Sequence, residues 1–168
     1  MPRVVVLVGM MGSGKTTVGR RVADKLGYTF IDTDDLVVAR AGKSVREVFE
    51  HDGEATFRAL ESQALAEALA TPVDAVVAAA GGCVLSAENR ALMTTASATV
   101  LWLDADVASL TARTARSPHR PLLDGDPTAR LTQLDSQRRS LYAEVADERI
   151  DTDGLTLDDV VQRVVSYA

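Results

Sequence analysis

Gly9-Met10-Met11-Gly12-Ser13-Gly14-Lys15-Thr16 is the stretch on which the reading of this chain turns. It satisfies G-x-x-x-x-G-K-[ST] at every fixed position and follows the apolar run Val4-Val5-Val6-Leu7-Val8. An apolar strand entering a glycine-rich turn and then a helix is the context in which this pattern has physical meaning. Glycines let the backbone curl so that successive N–H groups point inward, and the helix that follows adds its positive end. Lys15 can reach terminal phosphates, and the Thr16 hydroxyl can ligate Mg²⁺. The alternative is an ordinary glycine-rich strand-to-helix turn.

Working outward, strand and helix signals alternate along all 168 residues, which reads as one α/β domain with a mostly parallel sheet. Strands are expected at 3–8, 29–31, 73–79, 99–103 and 149–151. Helices are expected at about 15–26, 36–41, 54–69, 107–113, 128–146 and 156–165, with a short one opened by Ser86. Gly27 and Gly42 sit where helices stop. Ser44-Val45-Arg46-Glu47 is a capping box. The unbroken apolar character of 73–79 suggests a central strand. Pro118, Pro121 and Pro127 make 117–127 a loop too long for a plain connector.

Composition narrows the function. A net charge of −6 argues against a general nucleic-acid surface, so any basic site must be local. Hydrophobic residues at 46% suffice for a core, and aromatics at 4% leave it to Val, Leu and Ala. Cys83 is the single cysteine, which suits a reducing cytoplasm. No signal-peptide layout and no apolar run of bilayer length are visible, so no membrane partner is expected.

A phosphate loop alone implies nucleotide binding, not a reaction. Two strands end in aspartate, at Asp32 and Asp104, and sites in doubly wound sheets gather at the carboxyl ends of strands. Asp34 lies two residues beyond Asp32, so one carboxylate could serve a metal and the other a substrate hydroxyl. Alternatively, Asp34 or Asp35 caps the helix that follows. Arg113, Arg116 and Arg120 cluster at the proline-rich loop, which suits a mobile lid that stabilises charge on a transferring phosphoryl group. Gly81-Gly82 would let backbone N–H groups approach a ligand closely. On helix geometry alone, Arg58 reads as part of a solvated ion-paired face between Glu54 and Glu61, and Arg138 and Arg139 look equally ordinary. Cys83 reads as a packed side chain, and His51 and His119 lack metal-ligand spacing.

Taken together, the phosphate loop, Asp32-Thr33-Asp34, Phe57-Arg58 with Glu61, Gly81-Gly82, Arg120-Pro121-Leu122, and Arg138 with Tyr142 resemble the shikimate kinase family over nearly the whole chain. The resemblance implies a five-stranded parallel sheet of order 2-3-1-4-5 flanked by helices, in the nucleoside-monophosphate-kinase class. It implies transfer of the ATP γ-phosphoryl group to the 3-hydroxyl of shikimate within a single domain, residues 1–168. The lid would span about 115–127 and the shikimate-binding helical region about 33–61.

By matching positions, Gly12, Ser13, Gly14, Lys15, Thr16, Thr17, Arg113 and Arg120 would bind ATP, with Arg113 against adenine. Asp34, Arg58, Gly81, Gly82 and Arg138 would bind shikimate. Lys15, Asp34 and Arg120 would be catalytic, and Thr16 and Asp32 would hold Mg²⁺. The partners implied are ATP and shikimate, with no nucleic acid, acting on a cytoplasmic monomer. Planar arginine forks suit the carboxylate of a small anionic polyol, which gives Arg58 a purpose that its helix alone does not. One departure is Ala80, where the family usually carries the first of three glycines. If that position needs positive φ, alanine costs on the order of 1 kcal/mol. The alternatives are a gluconate-type sugar-acid kinase, less readily a nucleoside monophosphate kinase, and from another class a non-catalytic nucleotide-binding switch.

Overall fold

The computed structural model describes residues 1–116 and 124–168. Val4–Val8, all buried, forms β1 at the centre of a five-stranded sheet of order β2-β3-β1-β4-β5. The others are β2 (Thr29–Asp32), β3 (Ala75–Ala78), β4 (Ala98–Asp104) and β5 (Glu148–Asp151), and every pairing is parallel. Parallel pairing requires crossovers, and helices supply them. These are α1 (Lys15–Leu26), α2 (Thr33–Ala41), α3 (Val45–Glu47), α4 (Glu54–Leu69), α5 (Ala87–Thr95), α6 (Val107–Thr114), α7 (Pro127–Val145) and α8 (Leu157–Val165).

Side-chain alternation sorts the sheet into two faces. Val4, Val6 and Val8 of β1 join Val77, Val100 and Trp102 beneath Leu65, Met93, Leu131 and Tyr142. Val5 and Leu7 join Val76, Leu101 and Leu103 beneath Val18, Val22, Val160 and Val164. Because both faces are covered, the central strands are apolar at every position. A third apolar cluster, Val37, Val48, Phe57 and Ala64, holds α2 and α4 together with a single π-helical turn, Val48–Asp52.

The elements match the expected order, with shifts at their ends. Helix α2 begins three residues early because Asp32, the last residue of β2, is itself the N-cap and accepts from the Asp34 N–H at 2.9 Å. Strand β3 is shorter than 73–79, with Val73 exposed at its start. No helix among the described residues is long and apolar enough to cross a membrane. Register aligns Asp32 with Ala78, Ala78 with Leu7, and Val8 with Trp102. The carboxyl ends of four strands therefore open onto one edge.

Candidate active site

That edge carries a cavity of about 610 Å³. At one end lies the glycine-rich loop. Gly14, with φ of 97°, is the N-cap of α1 and offers no side-chain hydrogen bond, and no acidic residue lies in the first turn. By contrast α2, α5, α6, α7 and α8 all begin with a side-chain oxygen accepting from their first turn. With no side chain on its N-cap and no acid in its first turn, the amino end of α1 presents a positive dipole end to the cavity, which is the arrangement that binds an anion. Gly12, Gly14, Lys15, Thr16 and Thr17 line the cavity. The Lys15 ammonium donates to the carbonyls of Gly9 at 2.7 Å and Met10 at 3.0 Å, which holds it across the loop. Ser13 lies between Gly12 and Gly14. Its side chain is buried off the cavity wall, its hydroxyl has no partner among the described residues, and its N–H donates to the Met10 carbonyl.

Beside the loop, the Thr16 hydroxyl donates to Asp32 Oδ2 at 2.9 Å. The other Asp32 oxygen is engaged by the Asp34 N–H, so the carboxylate that caps α2 also faces α1. This pair of hard oxygen donors fits Mg²⁺. Among the described residues no group of three or more His, Cys, Asp or Glu could hold a metal. The protein would therefore contribute few ligands and leave the rest to phosphate and water, which is how Mg²⁺ is held at nucleotide sites. Asp34, in the first turn of α2, lines the cavity between this pair and its far end.

The far end is basic and partly dry. Arg58 and Arg138 line it, and both Nε atoms are buried without a hydrogen-bond partner among the described residues. Arg138 is 2% exposed. Arg58 donates to Glu61 at 2.7 Å and reaches Glu54 at 3.4 Å. Burial pushes the Glu61 carboxyl upward, and the charges of Arg58 and Arg138 pull it back. Gly81 and Gly82 make room for these guanidiniums. A Cβ on Gly82 would collide with Arg58 Nη1, and one on Gly81 would lie 3.4 Å from Arg138 Nη1. The Tyr142 hydroxyl donates to the Gly81 carbonyl at 2.6 Å. Val45, Phe49 and Phe57 add an apolar wall.

Several expectations are corrected here. Arg58 is not a solvated surface residue: its side chain is 22% exposed, and it turns into the cavity. Asp32, not Asp34 or Asp35, caps the helix. Asp104, the carboxylate at the end of β4, is outside the cavity wall. It is buried and accepts from Arg139 at 2.9 Å through both of its oxygens and from Arg149 Nε at 2.8 Å. Ala80 is unstrained, since no described non-glycine residue has positive φ. Gly82 itself has φ of −87°, so the glycines serve close approach and not an unusual backbone. Burial pushes the Cys83 thiol up to about 12, which keeps it protonated and inert. His51 is exposed on the π-helical turn.

Arg113 lines the nucleotide end and reaches the Gly12 carbonyl and the Thr152 hydroxyl at 3.4 Å. Arg116 lines it as well. Arg120, Pro121, Leu122 and His119 lie outside the described residues. Glu61 and Tyr142 are site residues that helix periodicity alone could have flagged. Each is a polar group at a buried position of an apolar stripe: Phe57, Glu61, Ala64, Leu65 and Ala68 on α4, and Leu131, Leu134, Arg138, Tyr142 and Val145 on α7.

Comparison with known proteins points the same way. The shikimate kinase family model matches residues 11–168. A shikimate kinase of Symbiobacterium thermophilum is 47% identical over 96% of this chain and 93% of its own length. One from Saccharopolyspora erythraea is 46% identical over 98% of this chain and 93% of its own. Among solved structures, shikimate kinase from Acinetobacter baumannii in complex with shikimate superposes with a TM-score of 0.92 at 35% identity, covering 99% of this chain and 92% of that one. A gluconokinase from Sinorhizobium meliloti superposes with a TM-score of 0.65 at 22% identity, which is a likeness of fold. With sequence, coverage and fold in agreement, this chain belongs to the shikimate kinase family.

Proposed function

We propose that this protein transfers the γ-phosphoryl group of ATP to the 3-hydroxyl of shikimate, giving ADP and shikimate 3-phosphate on the route to chorismate and the aromatic amino acids. The observation that carries this reading is one cavity joining a helix amino end with a glycine N-cap and no acid in its first turn to two arginines whose buried ε N–H groups have no acceptor among the described residues. The first feature suits a polyphosphate and the second a carboxylate. A non-catalytic switch needs only the first. The gluconate-type alternative rests on fold likeness alone.

In this reading Gly12, Ser13, Gly14, Lys15, Thr16 and Thr17 form the loop that holds the phosphates, with Ser13 keeping the loop curled through its N–H bond to the Met10 carbonyl. Arg113 lies against adenine. Arg58 and Arg138 grip the shikimate carboxylate, and the Gly81-Gly82 backbone meets the ring hydroxyls. Asp34 orients the 3-hydroxyl and accepts its proton as the oxygen attacks the γ-phosphorus and the bond to ADP breaks. Lys15 stabilises the charge that develops on the phosphoryl oxygens, as does Arg120 by its place in the residue pattern. Thr16 and Asp32 would hold Mg²⁺, which when bound neutralises charge on the β- and γ-phosphates. The lone cysteine suits the cytoplasm.

Asp34→Asn tests the acceptor half. The amide keeps shape and hydrogen-bonding reach but cannot take the proton, so kcat should fall by more than shikimate KM rises. A variant with normal kcat would remove Asp34 from the chemistry.

A further inference from the structure

Tyr142 has no part in the assignments above, yet it touches two of the elements that carry them. It lies one turn beyond Arg138 on α7 and is wholly buried. A phenol has one proton to give, and that of Tyr142 goes to the Gly81 carbonyl at 2.6 Å. Arg138, one turn earlier on the same helix, brings its guanidinium to the same glycine. A Cβ placed on Gly81 would make ordinary van der Waals contact with both Arg138 Nη1, at 3.4 Å, and the Tyr142 hydroxyl, at 3.5 Å.

Arg138 needs such a neighbour. The ion pairs at this end of the molecule run from Arg58 to Glu61 and Glu54, and from Arg139 to Asp104 and Asp135. Among the described residues Arg138 enters none of them, although it is the more deeply buried cation, and its Nε has no hydrogen-bond partner there. A buried guanidinium held by few contacts has freedom to turn, and any turning would be paid on ligand binding. Packing beside the Gly81 peptide, which the phenol holds in place, limits that freedom. It also fixes the peptide that follows: in a planar trans peptide, anchoring the Gly81 carbonyl toward α7 turns the Gly82 N–H to the opposite side.

We propose that Tyr142 is a positioning residue for the acceptor: its hydroxyl holds the Gly81 peptide beside which the Arg138 guanidinium packs, so the carboxylate end of the site is assembled before shikimate arrives. This inference rests on the reading of Arg138 as a carboxylate ligand. Tyr142 touches no reacting atom, and its effect belongs to binding of the acceptor, not to phosphoryl transfer.

The test is a double-mutant cycle of Tyr142→Phe and Arg138→Ala, with both KM values, kcat and thermal midpoints measured for all four proteins. Phenylalanine keeps the ring against Trp102, 5.9 Å away between centroids, so the variant folds. Tyr142→Phe should raise shikimate KM roughly 5- to 15-fold, leaving ATP KM and kcat within about twofold. Arg138→Ala should raise shikimate KM roughly 10- to 150-fold, and adding Tyr142→Phe should then change it by less than about twofold. A lowered thermal midpoint with unchanged shikimate KM would make Tyr142 a packing residue and overturn the proposal. So would equal penalties in both backgrounds, because the phenol would then act independently of Arg138. A normal Tyr142→Phe beside an impaired Arg138→Ala defeats this inference alone. A normal Arg138→Ala defeats the carboxylate reading and this inference with it.

Discussion

Two ε-nitrogens say most about what this molecule binds. Folded proteins rarely bury a charged donor without an acceptor, because the lost hydration is not returned. Arg58 and Arg138 each do so at one end of one cavity. An anionic ligand supplies the missing acceptor. Arg58→Ala should therefore weaken shikimate binding roughly 10- to 150-fold, the worth of a charge-assisted hydrogen bond, and leave ATP binding nearly unchanged. Titration calorimetry with each ligand checks this, and equal weakening for both would return Arg58 to a purely structural role. Glu61 gives a second prediction at this scale. Its folded carboxyl lies above the ordinary value of 4.5, chiefly through burial. A raised carboxyl pKa contributes stability below the unfolded value and loses it as pH climbs through the folded one. The stability of the wild type relative to Glu61→Gln should thus decline as pH rises above about 4.5, where the buried carboxylate must ionise. Paired denaturant titrations across that interval read it directly, and a flat or rising difference would contradict the burial argument.

Among the elements, α7 shows how neighbouring residues divide their work. Arg138 turns into the cavity, while Arg139 turns to the end of β4. There it shares Asp104 with Arg149 of β5, and both guanidiniums lie over Trp102 at 5.2 and 5.4 Å from its ring. Asp104 is therefore a clasp between α7 and two strands. Asp104→Asn should cost about 1.5–3 kcal/mol of stability in urea, with the Mg²⁺ dependence of activity unchanged. Normal stability with an altered metal requirement would restore Asp104 to the metal site. Element existence was legible from strand alternation, the capping box at Ser44 and the cap at Thr156, because those signals are local. The roles of Arg138, Arg139 and Asp104 were not legible, since a charge is assigned to solvent, cavity or clasp only by what packs across from it. The start of α2 was missed for a related reason: Asp32 ends a strand, caps a helix and meets Thr16 at once, and periodicity registers only one of these. Ala80 was a false alarm, because its backbone angle comes from the turn it occupies and not from the residue it replaces.

For the whole molecule, the parallel sheet sets where chemistry can occur. Its strands end together beneath the amino ends of α1 and α2, and the third apolar cluster braces α2 and α4 so that Arg58 faces the phosphate loop across the cavity. The loop end of this cavity was readable from one octapeptide. The acceptor half draws on α2, α4, the turn after β3 and α7, elements far apart in the chain that only the fold brings together. The central claim is that the two halves form one kinase acting on shikimate, and it is tested most directly by following product. Purified protein with Mg²⁺ and ATP is incubated with shikimate, with gluconate, or with neither, and phosphorus NMR monitors ADP and any new phosphate ester. The account predicts ADP and shikimate 3-phosphate in equal amounts with shikimate, and little ADP in the other two reactions. ADP forming at the same rate without shikimate, or a phosphorylated gluconate in its place, would contradict it.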